Sequence, residues 1–295
     1  MNLNQGDTIG IIALSGNCDR ERIQQAKANI EAFGYKVNLS KNIFDKNRYL
    51  AGSDEDKLEE MHRFFADPKI KLILCARGGY GAIRLVNRID YNIIKSNPKP
   101  FCGFSDATAL LLMIWKNTML TTYHSPMAQS DFCLSSPTEN ARIGITIQNF
   151  FNTLNNNHTE YKANKVIKIG SAKGILWGGN LSTVVSLCGL DFLPKQDFIF
   201  FTEDIAEPVY KIDKMLQQLL NIEQFHRYCK GIVLGDFTDI DNKTWLTEYQ
   251  NELAEYLNIP VIHISGITHA KNKITLPIGA NAQINRDILK LDIIR

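Results

Sequence analysis

Gly103-Phe104-Ser105-Asp106-Ala107 sets a serine between a short apolar run, Pro100 to Cys102, and a strongly apolar stretch, Ala107 to Trp115. That layout predicts a sharp strand-to-helix turn that lifts the hydroxyl to where a base can reach it, with the next backbone N–H facing a reacting carbonyl oxygen. Ser105 is therefore a candidate nucleophile, although a serine opening a helix also serves as a cap for its free N–H groups. A serine nucleophile needs a base, and the base needs an orienting acceptor. Among the six histidines, His62, His158 and His226 lie in polar or helical surroundings and read as solvated side chains, and His263 sits inside an apolar strand. His124, after a strand, can line a cleft. His269 stands between Gly266-Ile267-Thr268 and Ala270-Lys271-Asn272, in a loop held on a scaffold yet free to project.

Carboxylates are plentiful, so position must discriminate among them. Glu203 follows the apolar run Phe198 to Phe201, at the end of a buried strand where a lone acid is costly without a partner. It is the best orienter for an imidazole, while Asp204 or Glu207 can instead cap the next helix. Arg77-Gly78-Gly79-Tyr80-Gly81 offers close backbone approach and free N–H donors for a phosphate or an oxyanion. Nucleotide-binding spacings such as G-x-x-x-x-G-K-[ST] are missing from it.

The elements that must position these residues alternate strand and helix from Gly6 to about Thr122. Thr8–Ala13, Lys36–Leu39 and Ile70–Ala76 read as strands. Asp19–Phe33 and a segment opened by Ser53 read as helices, with a further helix near Ala82–Asn87. Continuous apolar strands in repeated βα units imply a parallel sheet covered on both faces, with ligands at the carboxyl ends of the strands. Residues 1–151 form this unit, and the polar stretch 152–164 suits a linker. Residues 165–295 bring helices and three short closing strands, Lys273–Leu276, Gly279–Ile284 and Ile288–Ile294, which suits a smaller α+β domain.

A chain of 295 residues with 44% hydrophobic and 22% charged residues has the make-up of a globular protein of about two domains. A net charge of +2 gives no electrostatic reason to propose nucleic acid, so the expected partner is a small molecule. The start of the chain shows no signal-peptide pattern and no apolar run of membrane-spanning length, which places it in the cytosol. Six scattered cysteines without a C-x-x-C pair read as buried free thiols, and no cluster has metal-ligand spacing, so no cofactor is expected.

Taken in order, Ala76 to Gly81, Gly103 to Asp106, Gly178-Gly179-Asn180-Leu181, Glu203-Asp204 with Glu207, Tyr210, Ile212 and Asp213, and His269 ahead of Leu276-Pro277-Ile278-Gly279 closely resemble the LD-carboxypeptidase family of serine peptidases. The resemblance spans nearly the whole chain. It implies a Rossmann-like N-terminal domain with a smaller C-terminal one, often assembled as a homodimer. It also implies a metal-free triad of Ser105 as nucleophile, His269 as base and Glu203 as orienting acid, with an oxyanion hole from the N–H groups of Gly79 and Asp106. Arg77, Gly78 and Tyr80 fall beside that hole as substrate-binding residues, and Arg77 with the acids Asp106, Glu207 and Asp213 can supply both charge signs to a zwitterionic substrate or can equally be paired structurally. The implied substrate is a murein tetrapeptide losing its terminal D-alanine during cell-wall recycling. Related self-immunity peptidases that cleave microcin C-like peptidyl nucleotides share the triad, and a non-catalytic small-molecule binder is the alternative outside the family. Two positions depart from the family pattern: Phe104 where Tyr is common, and Thr268 where a Gly usually precedes the histidine.

Overall fold

The computed structural model describes residues 3–133 and 137–293 of the chain. They form two compact units, the first made of Met1–Asn156 with Ile274–Leu276 and the second of Asn157–Lys273 with Pro277–Ile294.

The first unit follows the expected alternation: β1 (Thr8–Ile12), α1 (Arg20–Ala32), β2 (Lys36–Leu39), α2 (Asp54–Ala66), β3 (Ile70–Cys75), α3 (Tyr91–Ser96), β4 (Phe101–Gly103), α4 (Thr108–Thr118), β5 (Thr122–His124) and α5 (Pro137–Asn155). Asp19 caps α1 by accepting from Arg22 N–H and Ser53 caps α2 by accepting from Asp56 N–H, the role their short oxygen-bearing side chains suit. β2, β1, β3, β4 and β5 pair in that order, all in parallel. The order reverses between β1 and β3, and such switch points open a crevice at the carboxyl ends of the strands. The loops after β1, β3 and β4, carrying Gly16, the Gly-rich run and Ser105, all leave from those ends.

α4, which follows the serine turn, is buried from Thr108 to Trp115. Leu110, Leu111, Leu112 and Ile114 are at 0% exposure, each contributing roughly 1.5–3 kcal/mol relative to an exposed side chain. The serine turn thus rests on a helix buried along most of its length.

The second unit holds β6 (His158–Lys162), β7 (Lys165–Lys168), β8 (Ser171–Asn180), α6 (Leu181–Ser186), β9 (Phe198–Ile205), α7 (Val209–Leu220), α8 (Glu223–Tyr228), β10 (Cys229–Thr238), α9 (Lys243–Leu257), β11 (Val261–His263), β13 (Asn281–Asn285) and β14 (Ile288–Asp292), while β12 (Leu276–Ile278) joins the first sheet beside β5. Its eight-stranded sheet runs β6-β14-β13-β8-β9-β10-β11-β7. β8 to β11 are parallel and the flanking strands antiparallel. Trp177, Phe198, Phe200 and Phe225 pack at 5.1–6.0 Å between ring centroids, fixing the pleat of β9, whose last residues carry the acids.

Three sequence expectations change, and a fourth falls outside the described residues. The stretch 152–164 is no irregular linker: α5 runs through Asn155 and β6 pairs antiparallel with β14, because the alternation in His158-Thr159-Glu160-Tyr161-Lys162 is an edge-strand signal hidden by polar residues. The helix expected at Ala82–Asn87 is one 3₁₀ turn, Ala82–Arg84, too short to carry a helix dipole. The strand expected at Lys273–Leu276 begins at Leu276 and lies in the first sheet, so the closing strands of the second unit are two. Ile294, the expected end of the last strand, lies outside the described residues.

Candidate active site

On the first unit, Ser105 follows β4 with φ 60°, a left-handed conformation costing a non-glycine residue on the order of 1–2 kcal/mol. Strain of this kind persists only where the surroundings enforce it. Here β4 on one side and the buried α4 on the other fix the turn, and Ser105 is half-buried while both neighbours are buried. Replacing Ser105 by Gly should therefore give a protein more stable than Ser105→Ala, by about 1 kcal/mol in denaturant titration, though neither carries the hydroxyl. Equal stability would mean that the turn is unstrained.

The Gly-rich loop lies against this serine. A Cβ on Gly78 would sit 2.8 Å from Ser105 Oγ and 2.9 Å from its Cβ, so only glycine lets the loop approach the hydroxyl this closely. Gly79 has φ +112°, which aims its N–H in a direction other residues reach only with strain. Gly16 N–H donates to Gly78 C=O at 3.2 Å, tying the loop to the one after β1. Gly78→Ala should lower turnover by about a hundredfold while shifting Tm little, because the methyl displaces the serine turn and the nearby donors, not the core. Wild-type turnover in that variant would break the link between loop and serine.

Arg77 is held in place: Nε donates to Gly78 C=O at 3.2 Å and Nη1 to Asn17 C=O at 3.1 Å. With Gly16, Asn17, Tyr49, Gly79 and Tyr80 it lines an open pocket of 520 Å³. Tyr49 and Tyr80 meet there edge to face at 5.7 Å. Asp106 departs from its expected role as an acid facing substrate. Its carboxylate is 8% exposed and accepts from Ala82 N–H at 2.9 Å, so the side chain serves the loop. His124 is 2% exposed on β5 and packs edge-on to Phe104; it is buried in the core of the first unit.

On the second unit, Glu203 and His269 meet. His269 Nδ1 lies 2.5 Å from Glu203 Oε2, with side-chain exposures of 13% and 0%. β9 continues past the apolar run Phe198 to Phe201 as far as Ile205, so Glu203 still belongs to the sheet, in register with Asn180 of β8. Burial pushes the Glu203 carboxyl up, His269 and the Asn180 amide oppose that rise, and Asp204 adds to it. An ionised carboxylate has no proton to give. Against an ionised Glu203, Nδ1 is the nitrogen that carries the proton and Nε2 the one that can accept it.

Asp204, one residue on, points to the other face of the pleat. It accepts from Asn180 Nδ2 and Ser182 N–H, both at 2.8 Å, and so caps α6, the helix before it and not the one after. Glu207 pairs with Lys211 at 3.5 Å.

The loop carrying His269 is fastened at several points that the sequence did not reveal. Asp236, at the end of β10, bonds His263 Nε2 at 3.0 Å and accepts from Gly266 N–H at 3.1 Å, while its own N–H donates to Ile267 C=O at 2.8 Å. Burial would raise Asp236, but His263 and Gly266 outweigh it and hold the carboxyl low. Thr268 Oγ1 accepts from Ala270 N–H at 3.0 Å, which gives the departure from the family's glycine a structural role. Lys273, 5% exposed, donates through Nζ to the carbonyls of His269 and Ala270 at 3.2 and 2.7 Å. An acid directly after a strand glycine was the available signal for Asp236; Lys273 offered none. Among the described residues no group of three or more His, Cys, Asp or Glu could hold a metal ion, and no helix is long and apolar enough to cross a membrane.

Residues 9–125 match the family model described as LD-carboxypeptidase N-terminal domain and residues 173–284 the one described as LD-carboxypeptidase C-terminal domain. A probable murein peptide carboxypeptidase of Bacillus subtilis is 34% identical, over 96% of this chain and 90% of that protein. The crystal structure of muramoyltetrapeptide carboxypeptidase from Oxalobacter formigenes superposes with TM-score 0.85 at 28% identity, covering 97% of this chain and 98% of the other. An MccF-like protein from Bacillus anthracis superposes with TM-score 0.90 at 26% identity, covering 99% and 98%.

Proposed function

The chain belongs to the LD-carboxypeptidase family, and from that premise we propose that it is a serine carboxypeptidase that removes the terminal D-alanine from murein tetrapeptides. The observation that carries the reading is the His269–Glu203 hydrogen bond, made to a fully buried carboxylate. An imidazole held through Nδ1 by a carboxylate presents Nε2 as the nitrogen that takes a hydroxyl proton.

In this reading Nε2 of His269 takes the Ser105 proton as Oγ attacks the carbonyl carbon at the L-centre of meso-diaminopimelate. The oxyanion then accepts from the N–H groups of Gly79 and Asp106. The imidazolium next protonates the amine of the departing D-alanine, and water attacks the acyl-serine by the same route in reverse. Arg77, preorganised by its two bonds to backbone carbonyls, is the cation for a substrate carboxylate, with Gly78 and Tyr80 beside it. Glu207 and Asp213 remain as acids for the diaminopimelate amine. The scheme needs no metal, so turnover should survive EDTA; loss restored by a divalent ion would refute it. We further propose a cytoplasmic homodimer serving peptidoglycan recycling, with light scattering as the check on assembly.

Substrate variants test the reading. Amidating the terminal carboxylate, or inverting the diaminopimelate centre at the scissile bond, should lower kcat/KM at least tenfold, equivalent to ~1.4 kcal/mol of transition-state binding. Indifference to both would remove the carboxypeptidase assignment. A second reading, cleavage of a peptidyl nucleotide, draws on the exposed Tyr49–Tyr80 pair, a surface on which a purine can stack. Turnover of an aspartyl-adenylate analogue with no D-alanine release from the tetrapeptide would favour it.

A further inference from the structure

Lys57 on α2 has a side-chain exposure of 0%, with Nζ 2.9 Å from Asp54 Oδ1. Asp54 also takes Arg84 at 2.7 Å. Full burial of an ammonium is expensive, and an apolar side chain of similar volume would commonly fill such a site as well or better. Stability alone therefore gives no reason for a lysine here.

Its position does. A Cβ on Gly81 would lie 3.4 Å from Lys57 Nζ, so the ammonium sits directly behind the Gly-rich loop. The Asp106 carboxylate reaches the same loop from the serine turn, bonding Ala82 N–H at 2.9 Å, with the Gly81 N–H and the Ser15 side chain as further partners. Asp106 thus joins two elements: its N–H is the oxyanion donor next to Ser105, and its side chain holds the loop that carries the other donor, Gly79.

We propose that Lys57 and the Asp106 side chain are positioning residues for the oxyanion hole, the ammonium backing the Gly-rich loop at Gly81 while the carboxylate ties that loop to the serine turn through Ala82 N–H. The inference rests on Ser105 being the nucleophile. Burial holds the Asp106 carboxyl above its ordinary value, and Ser15, the Ala82 and Gly81 N–H groups and the Lys57 charge limit that rise. The titratable groups facing it are Lys57 from α2 and the Cys75 thiol from β3. Without Lys57, Asp106 takes up a proton at higher pH, and a carboxylic acid accepts from the loop N–H groups less well.

The test is Lys57→Met in the full chain, read by D-alanine release and by the rate at which a fluorophosphonate modifies Ser105. The expected result is a kcat at least tenfold lower with KM within about twofold, since the donors act on the transition state. Phosphonylation should slow in parallel, the acid limb of the kcat profile should move to higher pH, and Lys57→Arg should recover most of the rate. A folded Lys57→Met with wild-type kcat and labelling overturns the proposal, as does a loss that only tracks the folded fraction. Should Lys57→Met not fold, Asp106→Asn, which keeps shape and backbone N–H, should show the same kcat loss; wild-type kcat in it overturns the proposal equally. A wild-type protein that the probe does not modify at Ser105 fails the nucleophile reading as well. Modification of Ser105 at one rate in wild type and variants fails this inference alone.

Discussion

Ser105→Ala and His269→Ala should each lower kcat by on the order of 10⁴-fold or more, and the double variant should be hardly slower than either single one. In the proposed triad nucleophile and base act as one unit, so once either is gone the other has nothing left to do. What survives in all three variants is binding and the oxyanion donors of Gly79 and Asp106, worth on the order of 10³ over water. Steady-state release of D-alanine with all three proteins checks this, with circular dichroism confirming the fold. Losses that multiply in the double variant would mean that the two residues act independently, and the assignment of His269 as the base would fall.

Glu203→Gln should lower kcat by on the order of 10³–10⁴-fold while KM changes little. Glu203 is at 0% exposure and bonded to His269 Nδ1, so the carboxamide will occupy the same space. Its NH₂ can donate to Nδ1, however, which moves the ring proton to Nε2 and takes away the lone pair that must accept from Ser105. The imidazolium formed during the reaction also loses its buried counter-charge. Kinetics of the purified variant, with imidazole tautomers followed by ¹⁵N NMR, decide the matter. Wild-type turnover would pass the orienting role to another carboxylate, and Asp204, committed to the α6 cap, is poorly placed to take it.

The alternation of β1 to β5 was legible because apolar runs broken by caps such as Asp19 and Ser53 report parallel strands and their helices directly. The serine turn was legible for the same reason. Glu203 was found by its place after an apolar strand, although the strand itself runs on to Ile205: charged residues mask strand continuation when hydrogen bonds satisfy them inside the sheet. β6 was missed because an edge strand with polar residues on both faces carries little hydrophobic period. Single-turn helices such as Ala82–Arg84 are equally hard to tell from longer ones when the following residues are apolar for tertiary reasons. Lys57 and Lys273 act through a loop distant in sequence or through backbone carbonyls, and neither leaves a mark on local spacing, whereas Asp236 was marked only by its place after a strand glycine.

The most direct test of the account is to incubate the purified protein with L-Ala-γ-D-Glu-meso-diaminopimelyl-D-Ala and measure free D-alanine and the residual tripeptide by mass spectrometry, with Ser105→Ala alongside. The account predicts one D-alanine and one tripeptide for each tetrapeptide consumed by the wild-type protein, and next to nothing from the variant. An intact tetrapeptide, or equal release by Ser105→Ala, would contradict it.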